Sequence, residues 1–321
     1  MRNLFAFWNA GINSGIRLFK TIVKNNINRL DARVFNDEIE RRRGIVSHST
    51  VENELTAFRS LLTFARSKGV TELTTENIIR YERWLRDKGV KPNTSACYMR
   101  SLRAVCNRLG MNGKEIFGGV RTAKDKARKR AVGKETIQKL ESAEVAKDSF
   151  QELARDAFLF SIMAMGIPFV DLAHLRKSDY KDGLITYNRR KTGKQVTIEV
   201  EPCMAEMINR YSRSDTPYLF PLLTKTEPVE AEREYSSLLS RYNRALTRLS
   251  EKEKLQKTVS SYTARHTWAT MAFRNGLELS TISKGLGHAS PVTTQNYLKE
   301  IDDEALSEAN RLLIMELFGE N

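Results

Sequence analysis

The chain has 321 residues, with 53 Lys and Arg against 39 Asp and Glu, and a formal net charge of +14. This length allows two domains, and the basic excess indicates a polyanionic partner, most simply nucleic acid. Its three cysteines lie far apart and it has four histidines, which argues against a disulfide framework or a zinc site and favours a reducing, cytoplasmic setting. Two uncharged stretches, 3–16 and 157–170, are too short to span a bilayer.

The first half of the chain has a helical pattern. Residues 1–32 form a basic N-terminal segment to which the sequence assigns no role. A short helix is predicted over 34–43, and an apolar series at helical spacing follows Thr50 and ends at Gly69. The next helix begins at Thr75 with Ile79 on its inner face, and another begins at Pro92. These four helices predict one domain over residues 33–118.

A strongly basic segment, residues 119–131, follows this domain. It is either a solvated, flexible linker or a tether that binds DNA phosphates without reading sequence. Its candidate DNA-binding residues are Arg121, Lys124, Lys126, Arg128, Lys129 and Arg130.

The second half is predicted to mix helices with one β-hairpin. Helices are predicted over 136–146, 150–165, 201–211 and 236–249. Residues 184–190 and 195–200 alternate in the manner of two strands joined by a tight turn. That turn carries Lys191 and Lys194, and such a turn often has no role beyond reversing the chain.

Three residues near the C-terminus are suited to phosphodiester chemistry. Arg265 is followed 23 residues later by His288, and His288 nine residues later by Tyr297. Tyrosine can act as a covalent nucleophile, arginine matches phosphate oxygens, and histidine relays protons near neutral pH.

Helix signals place these residues in one short helical stretch. Ser260 and Ser261 are predicted caps for a helix that ends at Gly276, and Ser280 is a predicted cap for the next. His288 is expected to be exposed after that second helix. Residues 290 and 291, a Ser-Pro pair, are expected to start a third helix that carries Tyr297 near its end.

Three segments near the C-terminus match a known pattern: Tyr-Thr-Ala-Arg-His-Thr-Trp-Ala-Thr at 262–270, Leu-Gly-His-Ala-Ser at 286–290 and the segment of Tyr297. They resemble the tyrosine recombinase, or phage integrase, family. The resemblance implies a mainly helical fold with a small β-hairpin. It also implies a helical, SAM-like core DNA-binding domain followed by a catalytic domain over residues 132–321.

The resemblance also implies a mechanism. Tyr297 would attack a scissile phosphate to form a 3′-phosphotyrosyl link, and Arg265 would bind the non-bridging oxygens. His288 would support that charge or the proton traffic. Lys191, with Lys194 as the alternative, would protonate the departing 5′ oxygen. Because the linkage conserves the bond energy, no nucleotide cofactor and no metal are implied.

The chain departs from the family pattern at two places. Tyr262 stands where the family usually has a histidine, and its hydroxyl can still donate a hydrogen bond. His266 faces another side of that helix, so we expect it to have a structural or supporting role. Pro168 occupies the place of the first catalytic arginine, and Met165 stands where one mobile-element branch carries an arginine instead.

Losing a preorganised charge donor costs on the order of 10²–10³ in rate. Three explanations stay open: Arg155 or Arg176 reaches the site, the enzyme works slowly without the arginine, or the chain is a degenerate copy that binds DNA without cutting it. The last explanation makes a DNA-binding accessory protein the alternative to an active recombinase. A generic basic helical protein that binds nucleic acid by charge alone is a third hypothesis.

The last predicted helix, 304–317, has an apolar stripe. It docks either on its own domain or, as the family resemblance implies, on a neighbouring protomer. The second arrangement would link a tetramer on double-stranded DNA. The sequence does not distinguish integration, excision, inversion and resolution.

Overall fold

The structure is a computed structural model that describes residues 28–123, 130–212, 215–288, 290, 293–295, 311 and 315. The chain divides into two compact units, residues 1–126 and 127–321. Most of the N-terminal segment 1–32, part of the basic segment 119–131 and nearly all of the predicted C-terminal helix fall outside the described residues.

The first unit is helical. Its helices are α1 (Ala32–Glu40), α2 (His48–Lys68), α3 (Thr75–Asp87), α4 (Pro92–Arg108) and the short α5 (Gly113–Ile116). Helix α2 packs against both α1 and α4, and α3 packs against α4. The core between them is rich in aromatic side chains, and the rings of Phe35 and Phe58 stack with centroids 4.8 Å apart.

Helix ends in this unit follow local capping chemistry. Helix α2 begins before Thr50, because the side chain of Ser47 accepts a hydrogen bond from the Thr50 backbone N–H. It ends where Gly69 adopts a left-handed conformation, with φ of 64°. Ile79, predicted on the inner face of α3, is instead 36 % exposed.

One buried carboxylate ties three segments of the first unit together. Glu54 on α2 is 3 % exposed. It accepts two hydrogen bonds from Arg108 on α4, at 3.1 and 2.7 Å, and one of 3.0 Å from Arg42, which follows α1. Because a buried charge is tolerated only with partners, this network fixes how the three segments meet.

The second unit is built around one buried helix, α7 (Phe150–Met163). Its helices are α6 (Lys134–Glu141), α7 (Phe150–Met163), α8 (Phe169–His174), α9 (Pro202–Tyr211), α10 (Pro228–Lys252), α11 (Thr263–Arg274) and α12 (Leu279–Gly285). Helix α7 packs against α6, α8, α9, α10 and α11. It is apolar on most of its circumference, which is the pattern expected of a helix covered on all sides.

A three-stranded antiparallel sheet lies beside these helices in the chain order β1–β2–β3. The strands are β1 (Tyr180–Lys181), β2 (Leu184–Asn188) and β3 (Gln195–Glu199). Ile185 on β2 pairs with Ile198 on β3, and both side chains are buried. The predicted mainly helical fold with a small sheet is confirmed, and β1 is a strand that the sequence analysis missed.

Several predicted helix boundaries in this unit were wrong. Helix α10 begins eight residues earlier than predicted, where Pro228 takes the first helical position after a Glu227 cap. Ser260 and Ser261 do not cap α11, whose N-cap position is held by Tyr262 without a side-chain capping bond. Ser280 lies inside α12, after the cap residue Glu278.

None of the helices in the described ranges is long and apolar enough to cross a membrane.

Replacing Glu54 by Ala tests the buried network of the first unit. We expect Glu54→Ala to lower the free energy of unfolding by on the order of 3 kcal/mol, because it leaves partly buried guanidinium groups without their carboxylate. Glu52→Ala is the matched control: Glu52 lies on the same helix, is far less buried than Glu54 and pairs with Arg43, so its loss costs about 1 kcal/mol or less. Hydrogen exchange of α2 and α4 measures both, and equal protection in the two variants would contradict the assignment.

Candidate active site

Arg265 is buried at the first turn of α11, with 4 % of its surface exposed. Its Nη1 donates to the carbonyl of Gly166 at 3.0 Å, and its Nη2 donates to the carbonyl of Leu286 at 2.5 Å. Gly166, with φ of 67°, is needed here because a Cβ would lie 2.9 Å from the Cα of Arg265. The turn that links α7 to α8 therefore fixes one side of the guanidinium.

A second arginine binds the same carbonyl oxygen. Arg189, just after β2, is 6 % exposed, and its Nη1 also donates to the carbonyl of Leu286. Its Nε donates to Asp171 of α8 at 2.7 Å, and the other oxygen of that carboxylate accepts from the backbone N–H of Arg190 at 2.9 Å. Two guanidinium groups are thus within two hydrogen-bond lengths of each other.

Gly287 allows this close packing. Its φ is 59°, a conformation that favours glycine. A Cβ there would lie 2.9 Å from Val196 Cγ2 and 3.0 Å from Arg189 Cγ, so the loop after α12 lies directly on the aliphatic stem of Arg189. The Leu-Gly-His sequence at 286–288 therefore supplies, in order, a carbonyl acceptor, a glycine that allows close packing and an imidazole.

His288 lies next to this pair and is half-buried, so the expectation that it would be exposed was wrong. Its Nδ1 makes a 2.7 Å hydrogen bond with the hydroxyl of Thr294. Burial first, and then the charges of Arg265, Arg189, Lys191 and Lys194, lower the pKa of His288 to about 4. Protonating this group opposes folding as the pH falls from about 6.5 to about 4, and at pH 7 the imidazole is neutral.

The β2–β3 turn carries the two candidate lysines. Both Lys191 and Lys194 are exposed, and both act on the pKa of His288, so both ammonium groups lie within electrostatic range of the imidazole. The turn is held in place because the Thr192 hydroxyl donates to the carbonyl of Gly287 at 3.3 Å.

Tyr262 and His266 form a second cluster at the start of α11, so the expectation that His266 faces another side of this helix was wrong. Tyr262 is 47 % exposed, and its ring centroid lies 5.0 Å from that of His266. The guanidinium of Arg130, from the end of the basic segment, lies 5.4 Å from the Tyr262 centroid. Burial, followed by the charges of Arg130 and Arg265, lowers the pKa of His266 to about 4.

The two arginines considered as replacements for the missing one make other contacts. The guanidinium of Arg155 donates to Asp156 and to the carbonyl of Ala143. Arg176 is exposed, and its backbone forms a β-bridge with Tyr218.

Met165 and Pro168, which flank Gly166, carry no charge to the site. Met165 is partly buried against the core and has a φ of 53°. Pro168 precedes the first turn of α8 and is its cap residue.

Some predicted site residues fall outside the described part of the chain. They are Tyr297, Lys124, Lys126, Arg128 and Lys129. Arg121 is described and lies in the first unit, where its backbone N–H donates to Glu82 at 3.2 Å.

Arg189, which shares the Leu286 carbonyl with Arg265, is a candidate site residue that the sequence analysis missed. The signal was present, since β2 alternates Ile185, Tyr187 and Arg189 on its buried face. A charged residue at an inward position of a strand requires a partner, and Asp171 is that partner.

The fold and the sequence both have known counterparts. The phage integrase family matches residues 136–304, and the phage integrase SAM-like domain matches residues 32–108. The chain belongs to the phage integrase family, which confirms the resemblance drawn from its sequence. Tyrosine recombinase XerA of Pyrococcus furiosus is 28 % identical over 250 residues, covering 74 % of this chain and 82 % of that protein. Tyrosine recombinase XerC of Rickettsia canadensis is 25 % identical over 268 residues, covering 79 % and 87 %.

Solved structures share the fold at lower identity. The Tn1549 transposon integrase in complex with circular intermediate DNA has a TM-score of 0.59 and 18 % identity, covering 87 % of this chain and 98 % of that one. A lambda integrase tetramer bound to a Holliday junction has a TM-score of 0.61 and 17 % identity, covering 90 % and 85 %.

Replacing Gly287 by Ala tests the close approach at the site. Gly276→Ala is the control, because Gly276 has φ of 77° but no heavy atom within 4 Å of a built Cβ. Backbone strain alone costs about 1–2 kcal/mol. We expect Gly287→Ala to lose more free energy of unfolding than Gly276→Ala, since its methyl group displaces Arg189 or Val196. Urea denaturation followed by circular dichroism measures both; the close approach is refuted if the two losses are equal.

Proposed function

We propose that this protein is a site-specific DNA recombinase that cuts and rejoins DNA through a 3′-phosphotyrosyl intermediate. The observation that carries the proposal is the convergence of Arg265, His288 and the lysine-bearing turn around the loop of Leu286 and Gly287. Such a cluster of donors and cations suits the charged oxygens of a phosphodiester, and phosphoryl transfer depends mainly on positioning and charge stabilisation.

In the proposed step the Tyr297 oxygen attacks the scissile phosphorus, forms a new P–O bond and breaks the bond to the 5′ oxygen. Arg265 donates to the non-bridging oxygens, where negative charge accumulates. His288 is neutral at pH 7, so it is able to accept the phenolic proton. Lys191, or Lys194, gives a proton to the departing 5′ oxygen. The 5′ hydroxyl of a partner strand reverses these steps, so no metal or cofactor takes part.

The proposed partner is double-stranded DNA. The net charge of +14 and the basic segment 119–131 supply contacts to phosphates that would weaken steeply with salt. The Tn1549 and lambda integrases are described in complexes with DNA, the latter as a tetramer on a Holliday junction. By analogy we propose a tetramer on DNA, linked by the segment 304–317, acting in integration, excision or inversion of a DNA element.

One observation favours a second candidate function. Pro168 stands at the position of an arginine in the family pattern, and Met165 does not supply one either. A protein that binds DNA without cutting it would tolerate this loss. The two functions differ in whether covalent protein–DNA adducts form.

Replacing Tyr297 by Phe removes the proposed nucleophile. Wild-type protein incubated with DNA from its own replicon and quenched with denaturant is expected to give covalent adducts, and Tyr297→Phe none, because no hydroxyl remains to attack. Tyr180→Phe, on β1, is the control and retains adducts. Specific binding by the wild type without adducts, on DNA containing the right site, would favour the accessory protein instead.

A change in the leaving group of the substrate tests which of the two lysines is the general acid. Lys191→Ala is expected to slow cleavage more than Lys194→Ala, by about 10²–10⁴-fold for loss of a general acid. A substrate with sulfur in place of the bridging 5′ oxygen needs no protonation, so it should restore cleavage by Lys191→Ala. Single-turnover cleavage measures this effect. If the sulfur substrate rescues Lys194→Ala alone, the assignment is reversed. If it rescues neither variant, neither lysine is the general acid.

A further inference from the structure

We infer that Arg189 supplies the second guanidinium group to the scissile phosphate, taking the role that the family pattern gives to an arginine at position 168. The inference rests on the proposed function, because it concerns the phosphate that such a recombinase would cut. It adds a residue from the β2–β3 hairpin to the site, whereas the expected arginine would come from the start of α8.

The first support is a shared acceptor. Arg189 and Arg265 approach the Leu286 carbonyl from two different elements of the second unit, the hairpin and α11. A carbonyl oxygen has two lone pairs and accepts both donors, as one oxygen of a phosphate would. A phosphate placed against Arg265 therefore lies within reach of Arg189 as well.

The second support is the way Arg189 is held. Asp171 binds its Nε and Leu286 binds its Nη1. Within the described part of the chain, Nη2 has no hydrogen-bond partner. A guanidinium fixed at two nitrogens with a third available is preorganised for an anion, and little side-chain entropy is lost on binding.

The third support is the accumulated charge. Arg189 lies among the cations that act on His288, together with Arg265 and the two lysines of the turn. Keeping like charges close costs electrostatic free energy. A bound phosphodiester offsets that cost, so the arrangement favours anion binding.

A purely structural role for Arg189 is the competing explanation. The buried pair with Asp171 ties the hairpin to α8, and removing one partner of a buried pair costs about 3–5 kcal/mol. A variant at Arg189 alone could therefore lose activity by unfolding. The paired change Arg189→Gln with Asp171→Asn removes both charges and retains side chains of similar size.

The experiment compares two substrates in single-turnover cleavage. One has the natural scissile phosphate, and the other has a methylphosphonate there, which lacks the negative charge. We expect the paired variant to cleave the natural substrate about 10²–10³-fold more slowly than wild type, as for loss of one preorganised donor. On the methylphosphonate the loss shrinks to about tenfold or less, because less charge is left to stabilise. Asp171→Asn alone is measured beside it.

The control variant is Arg190→Gln, at the neighbouring position. Arg190 binds Glu232 at 3.1 Å and is more exposed, so its loss is expected to leave both rates unchanged. Equal losses on both substrates by the paired variant, or a full loss by Asp171→Asn alone, would reduce Arg189 to a structural role.

A second measurement separates this inference from the proposed function. Isothermal titration calorimetry with inorganic phosphate requires no cleavage. We expect the paired variant to bind phosphate at least tenfold more weakly than wild type and than Arg190→Gln, which is the loss of about 1.4 kcal/mol. If wild type forms no adducts but shows this difference, the recombinase proposal fails while Arg189 remains a phosphate ligand. Unchanged phosphate affinity overturns the inference.

Discussion

The backbone carbonyl of Leu286 is the point on which the arrangement of the site depends. It accepts hydrogen bonds from Arg265 on α11 and from Arg189 after β2, and it belongs to the loop that presents His288. One peptide group therefore positions helix α11, the β2–β3 hairpin and the loop after α12 relative to one another. Gly166 and Gly287 make this possible, because a side chain at either position would push an arginine away from its place.

The sequence predicted most of the fold, because its signals are local. Apolar spacing and glycine stops located the helices of the first unit, and alternation located β2 and β3. Cap predictions failed at α11 and α12, where Tyr262 and Glu278 hold the N-cap positions without a side-chain capping bond although serines lie nearby. The start of α10 was missed because its first two turns show no apolar periodicity: they carry four charged side chains and one buried residue, Ala231.

The site was predicted only in part, because some of its signals are local and others depend on tertiary contacts. The residue types and spacing of Arg265 and His288 identified a family, and the chain belongs to it. The alternation of the second strand marks Arg189 as an inward-facing residue, but its neighbours Asp171 and Leu286 are distant in sequence, so its place beside Arg265 became visible only in the structure. The two replacements suggested by the sequence, Arg155 and Arg176, lie on other elements, where Arg155 binds Asp156 and the backbone of Arg176 pairs with Tyr218. The hairpin supplies a guanidinium next to Arg265 without any arginine at that segment.

The measurement that tests the central claim most directly is the pKa of His288, followed by NMR of its imidazole. In the free protein we predict a pKa of about 4, because burial and the surrounding cations disfavour the charged form. Bound inorganic phosphate should raise it, since an anion offsets those cations. With four histidines in the chain, single substitutions assign the signals. A pKa near 6.5 in the free protein, unchanged by phosphate, would contradict a cationic phosphate site at Leu286.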